Sequence, residues 1–69
     1  MEHTIYIQIG NKIRALRKAQ GLTQGDIGKI IGLSRASVTN IEKGRHKVQL
    51  HVLYDISQAL HTDLIEIIS

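Results

Sequence analysis

Residues 22–44 read LTQGDIGKIIGLSRASVTNIEKG, and this stretch decides how the chain folds. Thr23 is followed three residues later by Asp26, a spacing typical of a capping box, in which side-chain oxygens accept hydrogen bonds from the first amides of a helix. Apolar side chains then recur at helical spacing, and Gly32 follows where a chain leaving a helix commonly needs a left-handed residue. The first half of the stretch therefore predicts a helix from about Thr23 to Ile31.

The second half of the stretch predicts another short helix. Ser34 is a candidate N-cap and Gly44 is a candidate C-terminal stop. Between them, Val38 and Ile41 form an apolar face. A turn of roughly three or four residues that contains Gly joins the two helices, which is the helix-turn-helix pattern.

The outer side of this second helix carries small, hydrogen-bonding and basic residues: Arg35, Ala36, Ser37, Thr39, Asn40 and Lys43. A merely solvated face usually has more Glu and Lys and fewer residues of poor helix propensity. Arg suits guanine, Asn suits adenine, and the methyl groups of Thr and Ala suit thymine, so the set fits the major groove of DNA. We favour this interpretation over a plain polar helix because the turn and both caps agree with it.

Several short motifs occur together here: Leu22-Thr23-Gln24, Ile27, Gly32, Leu33-Ser34-Arg35, Ser37-Val38 and Ile41-Glu42-Lys43-Gly44. Their combination resembles the signature of the Xre/Cro family of helix-turn-helix regulators, which includes phage repressors, and the similarity extends from about Ile9 to Ile68. The resemblance implies an all-α, compact five-helix lambda-repressor-like DNA-binding domain with the helix-turn-helix at its second and third helices. It also implies a homodimer that binds a palindromic operator.

The composition bounds the other possibilities. With 69 residues the chain has room for one domain, residues 1–69, whose small core makes self-association a useful source of stability. The sequence has no Cys, which excludes disulfides and cysteine metal sites and favours a reducing cytoplasm. It also has no apolar run of membrane-spanning length, so we expect no membrane partner.

The charge is distributed unevenly along the chain. The formal net charge is +3, whereas residues 48–69 contain Asp55, Asp63 and Glu66 and no Lys or Arg. This asymmetry predicts a basic end suited to phosphates and an apolar, mildly acidic end suited to a second copy. Because the chain has two Tyr and no Phe or Trp, it lacks the stacking residues used on single strands, which favours double-stranded DNA.

Apolar spacing predicts three further helices around the motif. The first runs from about Ile5 or Ile7 to Ala19 and ends at Gly21, with Gly10 weakening its first turns. A fourth helix follows a basic loop and places Leu50, Leu53, Ile56 and Leu60 inward, with Gln49 as a weak N-cap. Asp63 is a good cap for a short fifth helix. Within the second helix, Gly28 predicts a close approach to the third, whereas Gly25 has no evident reason.

The resemblance also assigns roles to single residues. The family pairs an arginine late in the first helix with the glutamate that ends the third, which implies a partly buried ion pair between Arg17 and Glu42; the alternative is two separate surface charges. The third helix is expected to face base edges with Arg35, Ala36, Thr39 and Asn40. The expected contacts to the DNA backbone are Gln24, which should also brace the third helix, Ser34, Ser37, Lys43 and Arg45.

The fifth helix has too many apolar residues for one small inward face. Ile65 and Ile68 are therefore the predicted dimer interface, with Val52 or Tyr54 of the fourth helix as a possible contributor. The alternative is that all of them pack in the core.

No motif indicates an enzyme, a cofactor or a metal site. The four His residues match no metal-ligand spacing, and no phosphate-binding loop or nucleophile elbow is present. The sequence thus predicts a transcriptional regulator, most simply a repressor. Two alternatives stay open: an antitoxin-type protein-interaction module that also autoregulates its operon, and a sensor of a metal or small ligand.

Overall fold

The computed structural model describes residues 2–69, with side chains from residue 4 onward. Its five helices are α1 (Glu2–Ala19), α2 (Gln24–Ile31), α3 (Arg35–Glu42), α4 (Leu50–Ala59) and α5 (Leu64–Ile68). Over these residues all the regular secondary structure is helical, which confirms the all-α, five-helix prediction. None of these helices is long and apolar enough to cross a membrane.

Local side-chain bonds set the ends of α2 and α3 where the sequence predicts them. The Asp26 amide donates to Thr23 Oγ1 at 3.0 Å, and the Thr23 amide donates to Asp26 Oδ2 at 2.9 Å, which completes the capping box. Helix α2 ends at Gly32 in the left-handed conformation, with φ of 77°. Helix α3 begins at Ser34, whose Oγ accepts a hydrogen bond from the Ser37 amide at 3.1 Å.

The ends of the other helices differ in part from the predictions. Helix α1 begins at Glu2, earlier than predicted, because the sequence holds no helix breaker before Gly10 and Gly10 itself is accommodated within the helix. Gln49 is the N-cap of α4 and makes no side-chain capping bond, as its residue type suggested. Asp63 is the N-cap of α5, as predicted, but its side chain makes no capping bond.

All five helices contribute to one aliphatic core. Its buried members are Ile9, Ile13, Ile27, Val38, Ile41, Leu53, Ile56, Ala59, Leu60 and Ile67. Leu50 was predicted to join them but is 67% exposed, since it is the first residue of α4 and the buried residues of that helix begin at Leu53. Val52, two residues later, packs against the core instead.

Helix α3 packs against two other helices. Helices α1 and α2 both contact α3, while α5 packs against α1 and α4. Gln20 Nε2 donates a hydrogen bond to the Leu60 carbonyl, which joins the C-terminal end of α1 to the C-terminal end of α4. One side of α3 is therefore fixed to the body of the protein and the other side faces away from it.

Candidate nucleic-acid interface

The outer side of α3 is accessible, and it carries the residues predicted to contact bases. Arg35 and Ala36 are exposed, while Thr39 and Asn40 are half-buried. These positions recur at the spacing of one helical face. Of the predicted backbone contacts, Ser34, Lys43 and Arg45 are exposed, whereas Gln24 and Ser37 are half-buried. Arg35 and Ala36 are therefore accessible to a ligand, while Thr39 and Asn40 are accessible in part.

The opposite side of α3 is anchored in the core. Val38 is fully buried and Ile41 is 5% exposed. Burying two aliphatic side chains of this size favours the folded position of the helix by about 1.5 to 3 kcal/mol each. The helix is thus held along its length without using its outer face.

Arg17 of α1 and Glu42 of α3 form a buried, bidentate ion pair. Arg17 Nε donates to Glu42 Oε2 at 2.6 Å, and Nη2 donates to Oε1 at 3.0 Å. The third guanidinium nitrogen donates to the Leu22 carbonyl at 2.8 Å, so the pair also fixes the chain entering α2. The hydrogen bond with Glu42 raises the pKa of Arg17 against the opposing effect of burial, which keeps the guanidinium charged.

Gln24 links the ion pair to the outer part of α3. Its Nε2 donates to Glu42 Oε1 at 3.1 Å, and its Oε1 accepts from Thr39 Oγ1 at 2.6 Å. Thr39 Oγ1 also lies 3.1 Å from the Arg35 carbonyl. The first residue of α2 therefore contacts α3 at two positions, which is the bracing role that the resemblance implies.

Two glycines allow α1 to approach the end of α3 closely. A Cβ on Gly10 would overlap the Glu42 carbonyl oxygen and lie 2.6 Å from the Ile41 carbonyl oxygen. At Gly44, where φ is 71°, a Cβ would lie 2.7 Å from the Ile7 Cα atom. Sequence reasoning treated Gly10 only as a weak point of α1. Its position inside an otherwise good helix was the signal that a backbone packs against it.

The turn between α2 and α3 is equally tight. A Cβ on Gly28 would lie 2.5 Å from the Leu33 carbonyl oxygen, so the close approach predicted there is made by the turn that leads into α3. The Leu33 amide also donates to the Gly28 carbonyl at 2.8 Å. At Gly25 a Cβ would meet only Thr23 Oγ1, at 3.7 Å, so space does not require glycine there.

Positive charge lies beside the outer face of α3. Arg45 and Lys43 follow the helix in the chain and are exposed, as are His46 and Lys47. Arg45 Nη1 approaches Asn40 Oδ1 at 3.5 Å, the outer limit of a hydrogen bond, so a ligand can displace this contact easily. A basic rim around a hydrogen-bonding helix face is an arrangement suited to DNA phosphates.

The C-terminal end of the molecule exposes apolar side chains. Ile65 is 63% exposed and Ile68 is 45% exposed, whereas Ile67 between them is buried. On α4, Leu50 and Tyr54 are separated by one helical turn and are also exposed. Other exposed aliphatic residues lie on α1 and α2: Ile5, Ile7 and Ile30. The apolar residues of α5 are thus divided between the core and the surface.

A family model for helix-turn-helix proteins, HTH_3, matches residues 13–67, which include the whole of α2 and α3. An uncharacterised HTH-type transcriptional regulator of Sinorhizobium fredii is 30% identical over 61 residues, which cover 88% of this chain and 79% of that protein. The chain belongs to the helix-turn-helix family of DNA-binding transcriptional regulators. The helix-turn-helix is therefore α2 and α3, and its recognition helix is α3.

Another relative is larger than this chain. The antitoxin PezA of Streptococcus pneumoniae is 33% identical over 60 residues. The match covers 87% of this chain but 38% of the antitoxin, so the chain spans well under half the length of that relative. The shared part is the helix-turn-helix region.

Solved helix-turn-helix structures superimpose closely on the chain. The restriction-modification controller protein C.AhdI of Aeromonas hydrophila gives a TM-score of 0.87 at 31% identity, covering 90% of this chain and 94% of that one. The P22 c2 repressor, solved in complex with a synthetic operator, gives a TM-score of 0.82 at 26% identity, and the match covers 88% of this chain and 92% of that one. These similarities confirm the lambda-repressor-like fold that the resemblance implies.

Proposed function

We propose that this protein binds double-stranded DNA sequence-specifically by inserting α3 into the major groove, and that it represses transcription as a homodimer on a palindromic operator. The observation that carries the proposal is the contrast between the two sides of α3. Its inner side is fixed by Val38, Ile41 and the Arg17–Glu42 ion pair, while its outer side is left open. A rigid helix with an uncovered polar face is the geometry that direct readout of bases requires.

The outer residues divide into two roles. Arg35, Ala36, Thr39 and Asn40 contact base edges and choose the sequence. Contacts to phosphate or sugar fix the register and carry most of the salt dependence. These contacts come from Gln24, Ser34, Ser37, Lys43 and Arg45. Gln24 keeps one amide hydrogen beyond the one that it donates to Glu42, so it can brace α3 and bind phosphate together.

Self-association is proposed through the exposed residues of α5. Ile65 and Ile68 expose apolar surface on a short helix whose third isoleucine already fills the core. Covering that surface with the same surface of a second copy gives the two-fold symmetry that a palindrome requires. The operator half-sites should then repeat about one helical turn, roughly 34 Å, apart. The dimer would act in the cytoplasm, which suits a chain without Cys.

Repression is the simplest outcome for such a protein, since occupying an operator is sufficient to block transcription. The P22 c2 repressor, which is similar over most of its length, was solved on an operator. This likeness supports the proposal for the present chain.

Selection of bound duplexes from a random pool tests the proposal most broadly. We expect one enriched sequence with two-fold symmetry and half-sites one helical turn apart. Sedimentation of the complex should show two protein chains on each duplex, and Ile65→Asp should weaken the complex with the full operator without unfolding the protein. A pool that shows no enrichment would refute the proposed function. An enriched sequence without symmetry would refute the dimer alone.

The antitoxin PezA supports a second candidate function. Its likeness to this chain favours a protein-interaction module that neutralises a toxin and also represses its own operon. Co-expression with the product of the neighbouring gene, followed by purification, tests this function. A stoichiometric complex of the two proteins would favour it, whereas recovery of the chain alone would count against it.

A further inference from the structure

The hydroxyl and the methyl group of Thr39 have different surroundings, and this difference bears on how the recognition helix reads DNA. Resting on the proposed function, we propose that Thr39 reads the major groove through its methyl group. It would recognise the 5-methyl group of a pyrimidine, either thymine or 5-methylcytosine. Its hydroxyl would donate no hydrogen bond to any base.

The ion pair fixes which way the Gln24 amide points. Both carboxylate oxygens of Glu42 accept hydrogen bonds from Arg17, so Oε1 acts as an acceptor in this site. The group of Gln24 that lies 3.1 Å from Glu42 Oε1 must therefore be the NH₂ group. The reverse orientation would place two acceptors together in a partly buried site, which is unfavourable. As a result, the carbonyl oxygen of Gln24 faces Thr39.

The Gln24 carbonyl in turn fixes the hydroxyl of Thr39. A hydroxyl group has a single hydrogen to donate, and Thr39 Oγ1 lies 2.6 Å from the Gln24 oxygen. The second neighbour of Thr39 Oγ1, the Arg35 carbonyl at 3.1 Å, is also an acceptor. The hydrogen is thus used inside the protein and is not free for guanine O6 or N7, adenine N7 or thymine O4.

The methyl group is the apolar part of the Thr39 side chain that remains for DNA, while the hydroxyl oxygen keeps only its capacity to accept a hydrogen bond. Threonine is branched at Cβ, so its hydroxyl and methyl groups point in divergent directions and move together about χ1. Turning the hydroxyl toward the groove would break its bond to Gln24. Ala36 lies three residues earlier on the same face and is exposed, so the two side chains present neighbouring methyl groups.

The matching ligand is an apolar group on a base edge. In the major groove, the C5-methyl of thymine is the apolar group that a base offers, and 5-methylcytosine places the same group at the same position. The Arg17–Glu42 pair thereby influences base preference indirectly, because it orients the Gln24 amide whose oxygen accepts the hydrogen of the Thr39 hydroxyl.

The test compares duplexes that differ by one methyl group, using the full chain and the sequence that the random-pool selection enriches. Each thymidine is replaced in turn by deoxyuridine, and each deoxycytidine by 5-methyl-deoxycytidine. Dissociation constants are measured for the wild type, for Thr39→Val, which keeps the methyl, and for Thr39→Ser, which keeps the hydroxyl. We expect one position in each half-site where the methyl strengthens binding about fourfold, the effect of burying one such group.

The outcome is decided by the ratio of the dissociation constants for the unmethylated and the methylated duplex. At the position concerned, the ratio should persist in Thr39→Val and fall to about one in Thr39→Ser. Loss of overall affinity in either variant cancels in this ratio. A ratio that survives in Thr39→Ser, that disappears in Thr39→Val, or that appears at no pyrimidine would overturn the inference while leaving specific DNA binding intact. A pool without an enriched sequence would overturn the proposed function as well.

Discussion

The helix-turn-helix and the C-terminal pair of helices are stabilised in different ways. Helices α2 and α3 begin with side-chain caps. A buried ion pair joins α3 to α1, and the Gln24 amide joins α2 to α3. Helices α4 and α5 begin without side-chain capping bonds and expose three large apolar residues at their outer positions, besides Tyr54. Directional polar bonds thus fix the region proposed to bind DNA, whereas the region proposed to bind a second copy depends on apolar packing.

The buried ion pair gives the largest expected difference between the regions. Replacing Glu42 by Ala leaves the Arg17 guanidinium buried without its carboxylate, and we expect a loss of about 3 to 5 kcal/mol in the free energy of unfolding. Glu66 of α5 is the control, since it is an exposed carboxylate and its replacement by Ala should change stability by less than about 0.5 kcal/mol. Urea denaturation measures both. Equal effects would show that the ion pair does not distinguish the two regions.

The glycines of α1 and α2 give the next largest contrast. Gly10→Ala places a methyl group against the backbone of α3, and we expect it to destabilise the protein by about 1 to 3 kcal/mol. Gly25→Ala, near the start of α2, adds a methyl group in ordinary van der Waals contact with Thr23 Oγ1. It should instead stabilise the protein by up to about 1 kcal/mol, because alanine loses less backbone entropy in a helix. In thermal denaturation, the melting temperatures of the two variants should therefore shift in opposite directions from that of the wild type. A neutral Gly10→Ala would contradict the close packing of α1 on α3.

A DNA-binding comparison separates the two roles on the outer face of α3. Arg35→Ala should cost about 1 to 3 kcal/mol on the selected operator and relax one base position. Lys43→Ala should weaken all duplexes alike and reduce the salt slope by about one. Fluorescence anisotropy at several salt concentrations, with operator and scrambled duplexes, measures both. Equal losses for Arg35→Ala on the two duplexes would assign Arg35 to the phosphates rather than to a base.

The smallest expected difference lies between the two caps. Ser34→Ala removes a capping bond at the start of α3 and should cost about 1 kcal/mol. Asp63→Ala, at the start of α5, removes no such bond, so it should cost at most the few tenths of a kcal/mol that a carboxylate contributes near a helix N-terminus. Urea midpoints of the two variants test the order. A larger loss of stability for Asp63→Ala than for Ser34→Ala would mean that side-chain capping bonds do not account for the difference between the two regions.

The sequence was most informative about the helix-turn-helix, whose helix ends are set by local bonds. The caps at Thr23 and Ser34 and the left-handed Gly32 are local features, because a side chain bonds a backbone three residues away and spacing alone reveals it. The recognition helix could therefore be placed within a residue at each end. Arg17 and Glu42 are far apart in the chain, and only the resemblance to a known family connected them.

What the sequence could not give depends on packing at a distance. Leu50 fits the apolar spacing of α4 but lies outside the packed core, since spacing does not tell where a neighbouring helix ends. Gly10 reads as a helix breaker until the backbone of α3 is seen against it. The sequence predicted that Thr39 faces the bases, but it did not show what its hydroxyl binds. Its commitment to Gln24 follows from three side chains on different helices, which no local pattern records.

Amide chemical shifts on titration with the selected duplex test the central claim most directly, because they report on both regions in one experiment. If the outer side of α3 binds DNA, the largest and saturable changes should fall at residues 34–45 and at Gln24, with the interior of α4 little affected. Large changes confined to α4 and α5, with residues 34–45 unchanged, would contradict the account.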